Sequence, residues 1–284
     1  MNAYLEIIRP QNAVMAIIAV VLVSIIAKNY DIPIILGAAA VFLATGGGNV
    51  INDYFDHKID AINKPQRPIP SGRISLKNAH NYALSLFIIA VILGIFISYL
   101  INNFIPALIV VLSSLLMYYY AHTLKKKTLI GNIVVSLLTG LCFIFAGIII
   151  GEPTGSFEIV IISAYLGFFA FLMTMAREIT KDMEDIEGDK IEEAKTFPIE
   201  YGLKKSSYLA SILMILACIL SPILYLNGIF SIYYLIFLTI AIITFLYGAY
   251  TLLKNQSSTS CKKASKLLKI GMMIIFIAFA IGSF

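Results

Sequence analysis

Two sets of polar residues share one spacing in an otherwise apolar chain. Asn49, Asp53, Asp56 and Asp60 stand at i, i+4, i+7 and i+11, and Glu178, Asp182, Asp185 and Asp189 repeat the interval. At about 100° per residue, that interval keeps four helical side chains in a narrow stripe. Each stripe follows an uncharged apolar run, Ile32–Gly48 or Ile159–Ala176, and so lies at the end of a membrane-length helix. Unpaired carboxylates there repel one another and cost roughly 2.5–3.5 kcal/mol apiece near mid-bilayer, less toward the interface. Positive charge must compensate them. Carboxylate oxygens suit Mg²⁺, which bridges a few protein carboxylates to substrate phosphates. Asn52, Asp53, Asp56 and Asp60 would supply part of a ligand set, and Asp182, Asp185 and Asp189 the rest. Asn52 joins Asp56 and Asp60 in its own i, i+4, i+8 series and adds a neutral oxygen.

Cations able to hold phosphate stand nearby in sequence: Arg67 and Arg73 after the first ladder, Arg177 and Lys181 beside the second, and Lys125–Lys127 between them. Arginine suits bidentate phosphate contacts, whereas lysine acts as a point charge. Metal plus cations at a lipid-facing vestibule fits an amphiphile with a diphosphate head and an apolar tail. Together they neutralise charge developing on a departing diphosphate. An allylic tail would then be left as a stabilised carbocation for another nucleophile to capture. Aromatic faces attract cations, and Tyr118, Tyr119 and Tyr120 precede the lysine run. One of them is a candidate to face the reacting carbon, although interfacial tyrosines also serve as anchors. The competing reading makes each ladder a solvated helix end paired with neighbouring Lys and Arg. Recurrence of the whole pattern weighs against it.

The elements that must position these residues are transmembrane helices. The chain is 284 residues long, 60% hydrophobic and 13% charged, against roughly 25% charged in a soluble domain; its mean hydropathy is +0.90. Hydropathy predicts nine spans: Asn12–Ala27, Ile32–Phe55, Tyr82–Ile101, Phe104–Leu124, Leu129–Ile150, Phe157–Ala176 with a helical extension, Ser207–Leu226, Ile229–Leu253 and Leu267–Phe284. Most reach the roughly 17–25 residues that cross a bilayer. The first is shortest, with a start nearer Ile7 as its alternative. The N-terminus lacks the pattern of a cleavable signal. With the N-terminus inside, every Lys and Arg except Lys28 falls on inner segments, a strong positive-inside pattern. This predicts a multi-pass cell-membrane protein with cytoplasmic N-terminus, external C-terminus and both ladders open to the cytoplasm. The net charge of +5 then reflects topology and anionic-lipid contact rather than nucleic acid. No obligatory protein partner is called for. Cys142, Cys218, Cys261 and the three histidines lack metal-ligand spacing.

A repeat extends beyond the acids. Ile62 matches Ile191, Pro68-Ile69 matches Pro198-Ile199 after one inserted residue, and Gly72 matches Gly202. The ladder helices are spans two and six, an even number of crossings apart, so they point the same way, as in a parallel repeat. The expected organisation is one polytopic membrane domain over 1–284, repeated at roughly 1–124 and 125–253, plus a ninth helix. The two stripes are expected to face one central cavity. The inner loop Asn255–Ala264, rich in Ser and Lys, reads as a solvated linker.

NDYFDHKID from Asn52 to Asp60, with NKPQRPIPSGRIS after it, and KDMEDIEGDK from Lys181 to Lys190 resemble the two Asp-rich motifs of the UbiA superfamily of intramembrane prenyltransferases. The resemblance covers nearly the whole chain. It implies a nine-helix α-bundle with a central cavity, cytoplasmic cap segments and a lateral opening to lipid. It also implies Mg²⁺ held through diphosphate by both motifs, and a diphosphate-contacting lysine, for which Lys125 in YAHTLKKK is the match. Within the superfamily, YLEIIRPQNAVMA, GGGNVINDYFDHKIDAINKPQRPIPSG and LKKKTLIGN are similar to the archaeal branch that makes the second ether of membrane lipid. That implies geranylgeranyl transfer from its diphosphate onto the hydroxyl of geranylgeranylglyceryl phosphate. An acceptor phosphate adds demand for cations, drawn from Arg9, Arg67 or Arg73.

Three rivals remain open at this point. A hydroxybenzoate, naphthoate or porphyrin-type acceptor would use the same donor chemistry. A CDP-alcohol phosphotransferase also places acids on membrane helices, but its DG…AR segment is absent around both ladders. A Mg²⁺ or substrate transporter would place carboxylates along a through-route; here both ladders stand at one membrane face.

Overall fold

A computed structural model describes residues 2–191 and 194–284. Glu192, Glu193 and the side chain of Ile191, the residue matched above to Ile62, lie outside it. The described residues form helices and no strand. Nine helices among them are long and apolar enough to cross a membrane; the chain is a multi-pass membrane protein. Two compact units emerge, one from residues 1–124 and 141–164, the other from 125–140 and 165–284.

In the first unit, α1 (Ala3–Ile7) and α2 (Pro10–Ala27) precede α3 (Ile32–Phe55) and α4 (His57–Asn63), followed by α5 (Leu76–Leu100) and α6 (Ile105–His122). Prolines open α2, α3 and α6 within the first turn, where a missing N–H costs nothing. Ser75 caps α5 by accepting from the amide of Asn78, which moves the start of the third span from the expected Tyr82 to Leu76. α3 packs against α2, α5 and α6. Its Gly46-Gly47-Gly48 run makes this possible, because a Cβ there would meet Ile8, the Phe87 ring and the Met117 sulfur respectively. Ile7, Ile8, Val50, Ile51, Ala83, Leu86 and Phe87 form the core around that contact.

Gly47→Leu tests this packing. A Cβ at Gly47 would lie 3.0 Å from the Phe87 ring and 3.3 Å from the Ala83 carbonyl oxygen, so a full leucine must displace α5. Overpacking costs about 1–3 kcal/mol and outweighs the helix-propensity gain of up to about 1 kcal/mol. The expected outcome is a melting temperature several degrees lower in detergent.

α7 (Ile130–Thr154) and α8 (Phe157–Glu184) each contribute one stretch to each unit. The second unit continues with α9 (Ile186–Ile191), α10 (Phe197–Tyr201), α11 (Leu203–Leu220), α12 (Ile223–Leu226), α13 (Ile232–Lys254) and α14 (Ser258–Gly282). The expected seventh span is interrupted near its end. Pro222 has no amide to give Cys218; the Ser221 hydroxyl bonds that carbonyl instead, at 3.0 Å. The buried Tyr234 hydroxyl donates to the Ser221 carbonyl at 2.9 Å. A proline break in a membrane helix is thus resatisfied by neighbouring side chains.

The structure corrects the reading of Asn255–Ala264 as a linker. Ser257 caps a helix that begins at Ser258, and Cys261, Ala264 and Leu268 are fully buried along one face of it. The lysines that made the stretch look solvated occupy the opposite face.

Candidate functional site

Both acidic ladders sit on a bent helix end. α3 stops at Phe55, and Asp56 has φ −84° and ψ 1° before α4 begins. The Asp56 amide still bonds the Asn52 carbonyl at 3.0 Å, and the Asp60 amide bonds the Asp56 carbonyl at 2.9 Å. The other ladder is built alike. α8 stops at Glu184, the Asp185 amide bonds the Lys181 carbonyl at 2.9 Å, and the Asp189 amide bonds Asp185 at 3.0 Å. Each helix therefore breaks at its third rung, while the amides of the third and fourth rungs keep i→i−4 bonds across the break.

In the first ladder, Asp53 and Asp60 are 3% and 4% exposed, a depth at which carboxylates need partners. Arg67 supplies one to both: its Nη1 lies 3.2 Å from Asp53 Oδ1 and 2.6 Å from Asp60 Oδ2. Arg9 also donates to Asp53 Oδ1. Arg9 holds a left-handed backbone at φ 49° between α1 and Pro10, a conformation costing roughly 1–2 kcal/mol for a side chain of this kind. The ion pair with Asp53 and the Asn49 Nδ2 bond to the Ile8 carbonyl, 2.9 Å, fix the chain there. Asn49 thus ties α3 to the residue before Arg9. Asn52 Nδ2 donates to Asp56 Oδ2 at 3.0 Å, leaving Asn52 Oδ1 buried and without a hydrogen-bond partner.

Arg73 is not gathered into this cluster. It makes two bonds to the Glu6 carboxylate, 2.6 and 2.9 Å, and one to the Gln66 carbonyl. The guanidinium holds the Glu6 carboxyl below the usual carboxylate range, and the carboxylate in turn raises Arg73.

In the second ladder, Glu178 accepts from Arg177 at 2.9 Å and from Lys181 at 3.0 Å. Arg177 Nε is buried and unpartnered. Asp182 accepts from Asn132 Nδ2 of α7 at 2.8 Å. Asp185 is exposed and Asp189 half-buried. Lys125 and Lys126 lie in a single 3₁₀ turn, Leu124–Lys126. That turn is stapled to the stretch after α9, because the Lys195 amide donates to the Lys126 carbonyl and the Thr128 hydroxyl to the Lys195 carbonyl. Tyr120 is half-buried near the end of α6.

Asn132 and Glu6 were not singled out from sequence. Asn132 carried a signal: a lone amide just inside an apolar span marks a functional position by default. Glu6 carried none, since its partner is 67 residues away.

The polar connections after the ladders also correspond. Gly72 and Gly202 both have positive φ, 75° and 85°, which an L side chain rarely adopts. Pro68 and Pro198 are both buried.

Among the described residues, no three His, Cys, Asp or Glu side chains converge closely enough to hold a metal unaided. The donors nevertheless fit Mg²⁺. They are all oxygens, they include the orphaned Asn52 Oδ1, and Mg²⁺ ordinarily keeps waters and takes phosphate oxygens beside one or two carboxylates.

The model of the UbiA prenyltransferase family matches residues 12–279. A digeranylgeranylglyceryl phosphate synthase of Methanobrevibacter smithii is 60% identical over 284 residues, covering 100% of this chain and 99% of its own. A solved structure described as digeranylgeranylglyceryl phosphate synthase in membranes superposes with TM-score 0.83 at 40% identity, covering 99% of this chain and 97% of that one. A UbiA homologue from Archaeoglobus fulgidus, bound to DMAPP and Mg²⁺, shares the fold at TM-score 0.68 and 18% identity, over 96% and 98% of the two chains.

Proposed function

The chain belongs to the UbiA prenyltransferase family, and we propose that it transfers a geranylgeranyl group from geranylgeranyl diphosphate to the free hydroxyl of geranylgeranylglyceryl phosphate. The observation that carries this reading is end-to-end identity of 60% with a relative bearing the corresponding synthase name. The helix-end chemistry supplies the donor half. Asn52, Asp53, Asp56 and Asp60, with Asp182, Asp185 and Asp189, would hold Mg²⁺. When bound, that ion supplies positive charge that lowers the cost of releasing diphosphate. Lys125, Arg177 and Lys181 are the cations for the donor's phosphates, and Tyr120 is the aromatic group for the cationic carbon. Arg9 and Arg67 are placed for phosphate once they leave Asp53 and Asp60. Arg73, held by Glu6, takes part only by exchanging that partner.

In the reaction the allylic C–O bond to diphosphate breaks, the acceptor oxygen forms the new ether bond, and its proton passes to the released diphosphate. The chain acts as one domain built on the parallel repeat, in the cell membrane, with the N-terminus and both ladders cytoplasmic. The distribution of Lys and Arg supports that orientation.

The test offers purified protein geranylgeranyl diphosphate with either geranylgeranylglyceryl phosphate or 4-hydroxybenzoate, with Mg²⁺ or with EDTA. Mass spectrometry is expected to find the dialkyl glyceryl phosphate, in the Mg²⁺ reaction only. A prenylated hydroxybenzoate in place of that product would overturn the acceptor assignment.

A further inference from the structure

The end of the chain carries a second, unrelated concentration of charge. From Tyr201 to Phe284 there is no Asp or Glu, yet Lys204, Lys205, Lys254, Lys262, Lys263, Lys266 and Lys269 are present. On α14, Lys262, Lys266 and Lys269 fall within about 60° of one another, opposite the buried Cys261, Ala264 and Leu268. All three are exposed and form no ion pair among the described residues.

Their depth can be read from α13. A Cβ on Gly248 would contact Leu267, and one on Gly271 would press on Phe245, so Lys269 lies at the level between Phe245 and Gly248. Tyrosines mark the same level. Lys263 Nζ donates to the Tyr247 hydroxyl at 2.8 Å and lies 4.8 Å from its ring centroid. Lys254 Nζ lies 5.6 Å from the Tyr250 ring centroid. Tyr247 and Tyr250 are exposed, as tyrosines of an interfacial belt are. Beyond Tyr247, the apolar residues Ile232–Leu246 of α13 and Ile270–Gly282 of α14 each span about 20 Å at 1.5 Å per residue. Lysine side chains at the level of such a belt reach the lipid head groups by snorkelling.

We infer that the α13–α14 face is a binding surface for anionic lipid head groups. Lys262, Lys266 and Lys269 contact head-group phosphate, and Tyr247 and Tyr250 stand at the acyl boundary. Free phosphate offers the same charge but has no tail to place against the apolar residues below the belt, so the occupant is lipid. The inference does not depend on the acceptor assignment.

The experiment is native mass spectrometry of purified protein released from vesicles of equal phosphatidylglycerol and phosphatidylcholine. The wild type is expected to retain phosphatidylglycerol about fivefold over phosphatidylcholine, also in the presence of inorganic phosphate. K262Q/K266Q/K269Q is expected to retain both alike, and K262R/K266R/K269R to restore the preference. Prenyl transfer in detergent should stay within about twofold throughout, which also reports that the variants are folded. Undiminished preference in the glutamine variant overturns the surface. Complete displacement of phosphatidylglycerol by inorganic phosphate overturns the lipid assignment.

Discussion

Asp56→Ala and Asp185→Ala are each expected to lower prenyl transfer by at least 10²–10³-fold, on the order seen when one group stabilising a transition-state charge is removed. Folding and membrane insertion should be unaffected. Both residues stand where their helix bends, and neither is sealed in the core: Asp185 is exposed and Asp56 half-buried. Asp56→Asn and Asp185→Asn separate charge from shape, because an amide fills the same space but brings no negative charge to a metal. If the asparagine variants lose as much rate as the alanine variants, at unchanged melting temperature, the carboxylate charge is what the reaction uses. Near wild-type turnover in either alanine variant would remove that ladder from the site.

The ladders were legible because period and composition coincide: four polar residues at helical spacing are conspicuous after an uncharged apolar run. The nine spans were legible for the same reason, and a nine-span all-helical membrane protein is what the structure contains among its described residues. Single-residue backbone events were not. Neither the bend at Asp56 nor the left-handed Arg9 changes any hydrophobic period, and the amide bonds across Asp56 keep the helical register. The start of α14 was hidden differently. Its Ser and Lys content suggested a solvated linker, although Cys261, Ala264 and Leu268 recur at i, i+3 and i+7, an apolar face narrow enough for the surrounding lysines to mask. Partner choice was the least legible feature. Arg67 and Arg73 look alike in sequence, yet one braces Asp53 and Asp60 while the other is taken by Glu6.

That division gives Arg67→Ala the second large effect, and its sign depends on the metal. Arg67 is the described cation on Asp60 and shares Asp53 with Arg9. Removing one partner of a buried ion pair costs about 3–5 kcal/mol. Here the expected loss is nearer 2–3 kcal/mol, because the Arg67 side chain is 21% exposed and Arg9 remains on Asp53. The same change frees Asp60 Oδ2 and leaves Asp53 Oδ1 to Arg9 alone, so Mg²⁺ meets less competition there. Mg²⁺ alone, without diphosphate, should therefore raise the melting temperature of the variant more than that of the wild type, since a ligand stabilises in proportion to its affinity for the folded state. Arg67→Lys should fall between them: an ammonium restores the charge, but as a compact, more strongly hydrated point charge on a different stem. Equal Mg²⁺ shifts in all three proteins would mean that guanidinium and metal do not share Asp53 and Asp60. A larger shift in the alanine variant would identify Arg67 as the group that occupies these carboxylates until a metal-bound head group replaces it.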